Sequence, residues 1–209
     1  MVKTAVLVSG GGVNLQSLID SDMFEELRGC ELAAVISSNP DAYALKRGEM
    51  AGVPCYVVDK ELFPSQTVFS FAILDKLRDL DIELVVLAGF DCELCQPVFK
   101  YYSGKIIETY PSLMPSFTDA GLSGIDIQKA VLDAGVKLTG ATAYFVTEKP
   151  RSGPIILQKA VEVRDDDTPA LLQRRVLEEA ENVILPEAVS LYCEGRLKIE
   201  GRYVRIAGN

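Results

Sequence analysis

A chain of 209 residues, 48% apolar and 24% charged, is long enough to bury a substantial core. Its formal net charge of −9 argues against a surface built for nucleic-acid phosphates, and no run reaches the roughly 18 uninterrupted apolar residues of a membrane helix. Five cysteines, Cys30, Cys55, Cys92, Cys95 and Cys193, are an odd and scattered set that reads as reduced thiols in the cytoplasm and not as a disulfide framework.

The opening "MVKTAVLVSGGG" lacks the small-residue cleavage site of a signal peptide and reads as a first strand over Thr4 to Ser9. Further short β-branched runs follow at Leu32 to Ser37, Cys55 to Val58, Ile82 to Ala88 and Gly104 to Tyr110, with helix patterns starting near Asn14, Asp41, Ser65 and Gln96. Strand and helix in alternation predict a parallel sheet with helices on both faces. After Pro115 the pattern changes. "QKAVLDAG" reads as a short helix, and "KLTGATAYFVT" and "GPIILQKAVEV" read as a strand pair joined at "EKPRSG". Thr168 and Pro169 then open a long helix that Pro186 should kink and Gly195 should end, before a last hairpin or edge strand in "RLKIEGRYVRI". The expectation is one α/β domain over residues 1–209, with a mostly parallel mixed sheet of about seven strands. Residues 1–104 would form its phosphate-binding half, and residues 105–209 the site loop, hairpin and long helix.

Three motifs are candidates for chemistry. "VLVSGGGVNLQSLI" is a strand, a glycine loop and a helix start, and its exposed N–H groups with the helix dipole suit phosphate. A tight turn is the alternative, though three consecutive glycines exceed what a turn needs. A P-loop is excluded by the missing Gly-Lys-Ser/Thr ending. A dinucleotide site fits poorly because Leu15 replaces the third glycine, so a phosphorylated sugar is the better ligand. "DCELC" gives Cys92 and Cys95 a CxxC spacing, but with no second cysteine pair and no histidine it reads as coincidence and predicts no metal. "ETYPSLMP" stands at a strand's carboxyl end, where open α/β sheets place their sites, and a merely capped strand end fits it equally well.

Together "SGGGVNLQ", "VVLAGF", "YPSLMP", "GATAYFVTE", "SGPIILQ" and "AENVILP" resemble, in order and spacing, the glycinamide ribonucleotide transformylases, the folate-dependent phosphoribosylglycinamide formyltransferases of purine biosynthesis. The resemblance implies a formyltransferase-like fold and formyl-tetrahydrofolate as cofactor. It also implies a phosphorylated ribosyl ligand held by Gly11, Gly12, Val13 and Asn14, with Glu181 on the ribose. A folate cleft at Leu87, Ala88, Gly89, Phe90 and Cys92 is implied in the same way. No nucleic acid or membrane partner is expected, and the chain should be a monomer or weak homodimer.

The catalytic positions depart from the family. Its asparagine, histidine and aspartate fall on Glu108, Tyr110 and Arg151; a further histidine falls near Ser123, and an arginine near Cys92. An ionised carboxylate repels the tetrahedral oxyanion of formyl transfer, and a tyrosine is a poor base near neutrality. The expectation is a family cleft with its catalysis lost or altered, with an ion pair between Glu108 and Arg151 in place of the family's partners. A re-invented acid/base set and a non-enzymatic interaction protein are the alternatives.

Overall fold

The computed structural model describes residues 1–118, 122 and 124–208. Five strands run parallel: β1 (Val2–Val8), β2 (Cys30–Ser37), β3 (Cys55–Val57), β4 (Leu84–Leu87) and β5 (Ile106–Tyr110). Two more, β6 (Leu138–Phe145) and β7 (Ile155–Glu162), complete the same sheet antiparallel, in the order β3-β2-β1-β4-β5-β6-β7. A separate hairpin pairs β8 (Leu197–Glu200) with β9 (Tyr203–Ile206). The mixed seven-stranded sheet and the late hairpin are those expected from the alternation of runs.

Period-2 alternation sends the two sides of each strand into different cores. Val6 and Val8 pack with Leu15, Leu18, Leu185 and Val189, from α1 (Val13–Met23) and α7 (Asn182–Cys193). Ala5 and Leu7 pack on the other face with Phe69, Ile73, Leu77 and Val98, from α3 (Gln66–Asp79) and α4 (Gln96–Tyr101). Full burial of each such aliphatic side chain contributes roughly 1.5–3 kcal/mol, which explains why strands enclosed on both faces read as continuous apolar runs.

Side-chain caps set two of the α-helix starts among the described residues. Ser65 accepts a hydrogen bond from the Val68 N–H ahead of α3, and Thr168 accepts one from the Leu171 N–H with Pro169 in the first turn of α6 (Pro169–Val176). α2 (Tyr43–Met50) starts two residues after Asp41, behind Ala42, and α5 (Gly124–Asp133) carries the "QKAVLD" pattern.

The expected long, kinked helix is divided earlier than Pro186. Leu177–Glu181 forms a π-helical turn between α6 and α7, and Pro186 lies inside α7. Proline cannot donate to the carbonyl four residues back, that of Asn182, so the ladder is already broken where the π turn ends. Gly195, with φ of 68°, follows the helix end as anticipated. Among the described residues no helix is long and apolar enough to cross a membrane.

Candidate functional site

The strand order reverses at β1, which has β2 on one side and β4 on the other. Loops leaving the carboxyl ends of β1 and β4 therefore diverge, and a crevice opens between them. A cavity of about 850 Å³ occupies it.

The glycine loop forms one end. Gly12 has φ of 71° and precedes α1, whose first turn receives no side-chain cap. A Cβ at Gly12 would stand 2.6 Å from the Ala44 Cβ and 2.8 Å from its Cα, so close approach to α2 and the left-handed backbone both call for glycine. Gly11, Gly12, Val13 and Asn14 all line the cavity.

Asn14 ties this end to the late helix. Its Nδ2 donates to Thr109 Oγ1 at 3.2 Å and to Glu181 Oε2 at 3.1 Å, and the Thr109 hydroxyl donates to the same carboxylate oxygen at 2.9 Å. Glu181 is the last residue of the π turn and also lines the cavity. Burial pushes its carboxyl above the ordinary value, while the bonds from Thr109 and Asn14 act the other way.

Strand periodicity splits the end of β5 between two faces. Ile107 and Thr109 turn toward α1 and α7, whereas Glu108 and Tyr110 turn to the opposite side with Ile106. Glu108 pairs in register with Tyr144 of β6, and the Tyr144 hydroxyl donates a hydrogen bond to Glu108 Oε2. Loss of solvent inside the cavity pushes the Glu108 carboxyl up to about 7; the Tyr144 bond and the Arg151 charge oppose that rise, and Glu181 adds to it. Desolvation and the adjoining carboxylate likewise raise the Tyr144 phenol.

Tyr110 and Arg151, the other two positions to which the resemblance assigns catalytic groups, line the same cavity. The Tyr110 hydroxyl donates to the Phe117 carbonyl at 2.9 Å, so its polar end secures the site loop while its ring lines the cavity. The Arg151 guanidinium lies over that ring at 5.0 Å, on a backbone with φ of 53°. The expected Glu108–Arg151 ion pair is not made between the described residues: the hydrogen bond to the carboxylate comes from Tyr144, and Arg151 acts on Glu108 only through its charge.

Three side chains under the loop hold "YPSLMP" in place. Thr142 Oγ1 donates to the Ser112 carbonyl at 2.7 Å and accepts from the Met114 N–H at 3.0 Å. Gln158 donates to the Met114 carbonyl at 2.9 Å, and the buried Gln128 donates to the Pro111 carbonyl at 2.8 Å.

Leu87, Ala88, Gly89, Phe90 and Cys92 line the cavity's remaining wall. The Ser9 N–H donates to the Gly89 carbonyl at 3.1 Å, and the Asp91 N–H donates to Ser9 Oγ at 2.9 Å, which couples this wall to the glycine loop. Burial would raise Asp91, but its hydrogen bonds with Ser9, Lys60 and Cys92 outweigh that and leave it below the usual carboxylate range. Cys92 lies against Asp91, Cys95 precedes α4, and both are free thiols. Among the described residues no group of metal-ligating side chains is gathered. Ser123 lies outside the described residues.

All the residues singled out at the glycine loop, the fourth strand end, the fifth strand end and the late helix therefore meet in one cavity. Two participants carry no distinguishing signal in the sequence: Thr109 inside "ETYPSLMP" and Tyr144 inside "GATAYFVTE". The alternation of both segments was the available signal, but it does not reveal which residues face each other across strands.

Residues 2–189 match the formyl transferase family. The chain is 39% identical over 198 residues to the trifunctional purine biosynthetic protein adenosine-3 of Gallus gallus, covering 95% of this chain but only 19% of that protein. It is 33% identical over 208 residues to the phosphoribosylglycinamide formyltransferase of Haemophilus influenzae, covering 100% of this chain and 95% of that enzyme. The crystal structure of glycinamide ribonucleotide transformylase 1 from Symbiobacterium toebii superposes with a TM-score of 0.92 at 41% identity, covering 99% of this chain and 94% of that one. Matched from β1 into α7 in sequence and over almost its whole length in structure, the chain belongs to the formyl transferase family.

Proposed function

We propose that the cavity binds a phosphorylated ribosyl ligand at the glycine loop and a formyl-tetrahydrofolate carrier along the β4 wall, with the family's formyl transfer altered at the reacting end. The observation that carries the reading is the Asn14–Thr109–Glu181 network, which opens into the same cavity as the uncapped start of α1. Among the described residues, both hydrogen bonds to Glu181 fall on Oε2. Its Oε1 is then the oxygen through which the carboxylate would take a ribose hydroxyl, while the N–H groups of the loop take the phosphate. Relatives named for phosphoribosylglycinamide formyl transfer support the ligand class.

The altered chemistry rests on Glu108. Above pH 7 its carboxyl is mostly ionised, cannot donate, and repels an oxyanion forming beside it. Transfer by the family's route is then lost. Tyr110 does not compensate, because its hydroxyl is spent on Phe117, and the Arg151 guanidinium offers donors but no acceptor. A second reading draws on the same residue: below pH 7 the neutral carboxyl keeps its bond from Tyr144 and offers an O–H to an oxyanion, as a neutral amide donor would.

A turnover assay with glycinamide ribonucleotide and formyl-tetrahydrofolate at pH 6 and pH 8, with Glu108→Ala as control, tests both. The proposal expects no Glu108-dependent turnover at pH 8. Turnover there that disappears in the variant overturns it. Glu108-dependent turnover confined to pH 6 establishes the second reading, and none at either pH leaves a ligand-binding protein.

A further inference from the structure

From the contacts between α2 and the glycine loop we infer that Arg47, held by Gln16, is a positioning residue for phosphate: it turns the Gly11–Gly12 peptide so that the Gly12 N–H faces the cavity. The inference rests on the phosphate reading above and adds a residue that the glycine motif does not contain.

Two consecutive loop carbonyls are gripped from the α2 side. The Gly10 carbonyl accepts from the Ala44 N–H at 3.0 Å, and the Gly11 carbonyl accepts from Arg47 Nε at 2.8 Å. In a trans peptide the carbonyl and the following N–H point in opposite directions. Fixing the Gly10 and Gly11 carbonyls toward α2 therefore fixes the Gly11 and Gly12 N–H groups away from it. Neither N–H donates to an acceptor among the described residues, and both glycines line the cavity. Two adjacent N–H groups aimed alike, at the start of a helix, form a concave anion seat.

Arg47 is itself fixed on two further sides. Its Nη1 donates to Gln16 Oε1 at 2.8 Å, and Gln16 Nε2 donates to Asp20 Oδ1 at 2.8 Å, so the amide is oriented with its oxygen toward the guanidinium. The Tyr43 ring lies 5.1 Å from the guanidinium carbon. A planar fork bonded through two different nitrogens holds one orientation, which a lysine ammonium does not reproduce. Asp20, Gln16, Arg47 and Gly11 thus form one line of hydrogen bonds from the second turn of α1, across α2, to the loop.

Titration of ribose 5-phosphate into the wild type, Arg47→Met and Gln16→Leu separates orientation from charge, because Gln16→Leu leaves the Arg47 cation in place. Arg47→Met should weaken binding about tenfold to a hundredfold, and Gln16→Leu at least about threefold, as expected for losing charge-assisted hydrogen bonds. At saturating ligand the amide resonance of Gly12 should move less in Arg47→Met than in the wild type, a change that loss of stability alone does not produce. Wild-type affinity in Arg47→Met overturns the inference. Unchanged affinity in Gln16→Leu beside a loss in Arg47→Met reduces the role to charge and also overturns it. No binding by the wild type removes the phosphate reading, and the inference with it.

Discussion

Glu108 and Tyr144 are register partners on adjacent antiparallel strands, and the tyrosine hydroxyl donates directly to the carboxylate. Cross-strand neighbours on one face lie close enough for their side chains to meet. The carboxyl therefore sits at a fixed place on the cavity wall, short of solvent and with the Tyr144 hydroxyl as donor.

That setting makes stability depend on pH. The folded Glu108 value of about 7 lies above the ordinary 4.5, so its favourable contribution is complete below about pH 4.5 and is lost as pH rises through 7. Glu108→Gln removes the titration and can still accept from Tyr144. It should match the wild type near pH 5 and exceed it by about 3 kcal/mol at pH 8, on the scale of about 1.4 kcal/mol per tenfold change in acidity. Urea unfolding at the two pH values measures the difference, and a gain of equal size at both would contradict the assignment.

Tyr144→Phe should act in the opposite sense. The bond it removes lowers Glu108, so without it the ionised carboxylate becomes costlier. A loss of about 1–3 kcal/mol is expected at pH 8, with a smaller loss at pH 5 where the carboxyl is neutral. The same unfolding series reports it; a loss independent of pH would show that packing of the ring, not the hydroxyl, was responsible.

Glu181→Gln should separate stability from binding. Its buried carboxyl is raised in the folded chain, so the neutral amide should stabilise the protein at pH 8. Calorimetric affinity for ribose 5-phosphate should fall about tenfold, as is usual when a charged hydrogen-bond partner is removed. Higher melting temperature with intact binding would detach Glu181 from the ligand.

Gly12→Ala should be more damaging than Gly10→Ala. The first adds a Cβ 2.6 Å from that of Ala44 at a φ of 71°, whereas the second meets nothing within 4 Å. We expect about 1–3 kcal/mol lost for Gly12→Ala and under about 1 kcal/mol for Gly10→Ala, read from thermal unfolding.

Much of the site was legible because its parts are local. A strand followed by three glycines and a helix, a proline-bounded segment at a strand end, and Thr168–Pro169 before an apolar helix each depend on backbone chemistry within a few residues. The division of the late helix was less legible. Pro186 marks a lost hydrogen bond, but the sequence does not say on which side of it the ladder will widen, and the π turn settles that by bringing Glu181 to the cavity.

By itself, the sequence determined the alternating α/β architecture, the glycine loop and the charge-bearing side chains at Glu108, Arg151 and Glu181, since these follow from periodicity, turn chemistry and residue type. Tertiary structure alone decided their partners. Tyr144 meets Glu108 through strand register, Thr109 meets Asn14 and Glu181 through the opposite face of the same strand, and Arg47 meets Gly11 through the packing of α2 against the loop. Those contacts span 36, 95, 72 and 36 positions along the chain, in that order. Chain folding, not local preference, brings such distant groups into the low-dielectric cavity where a carboxyl titrates near neutrality.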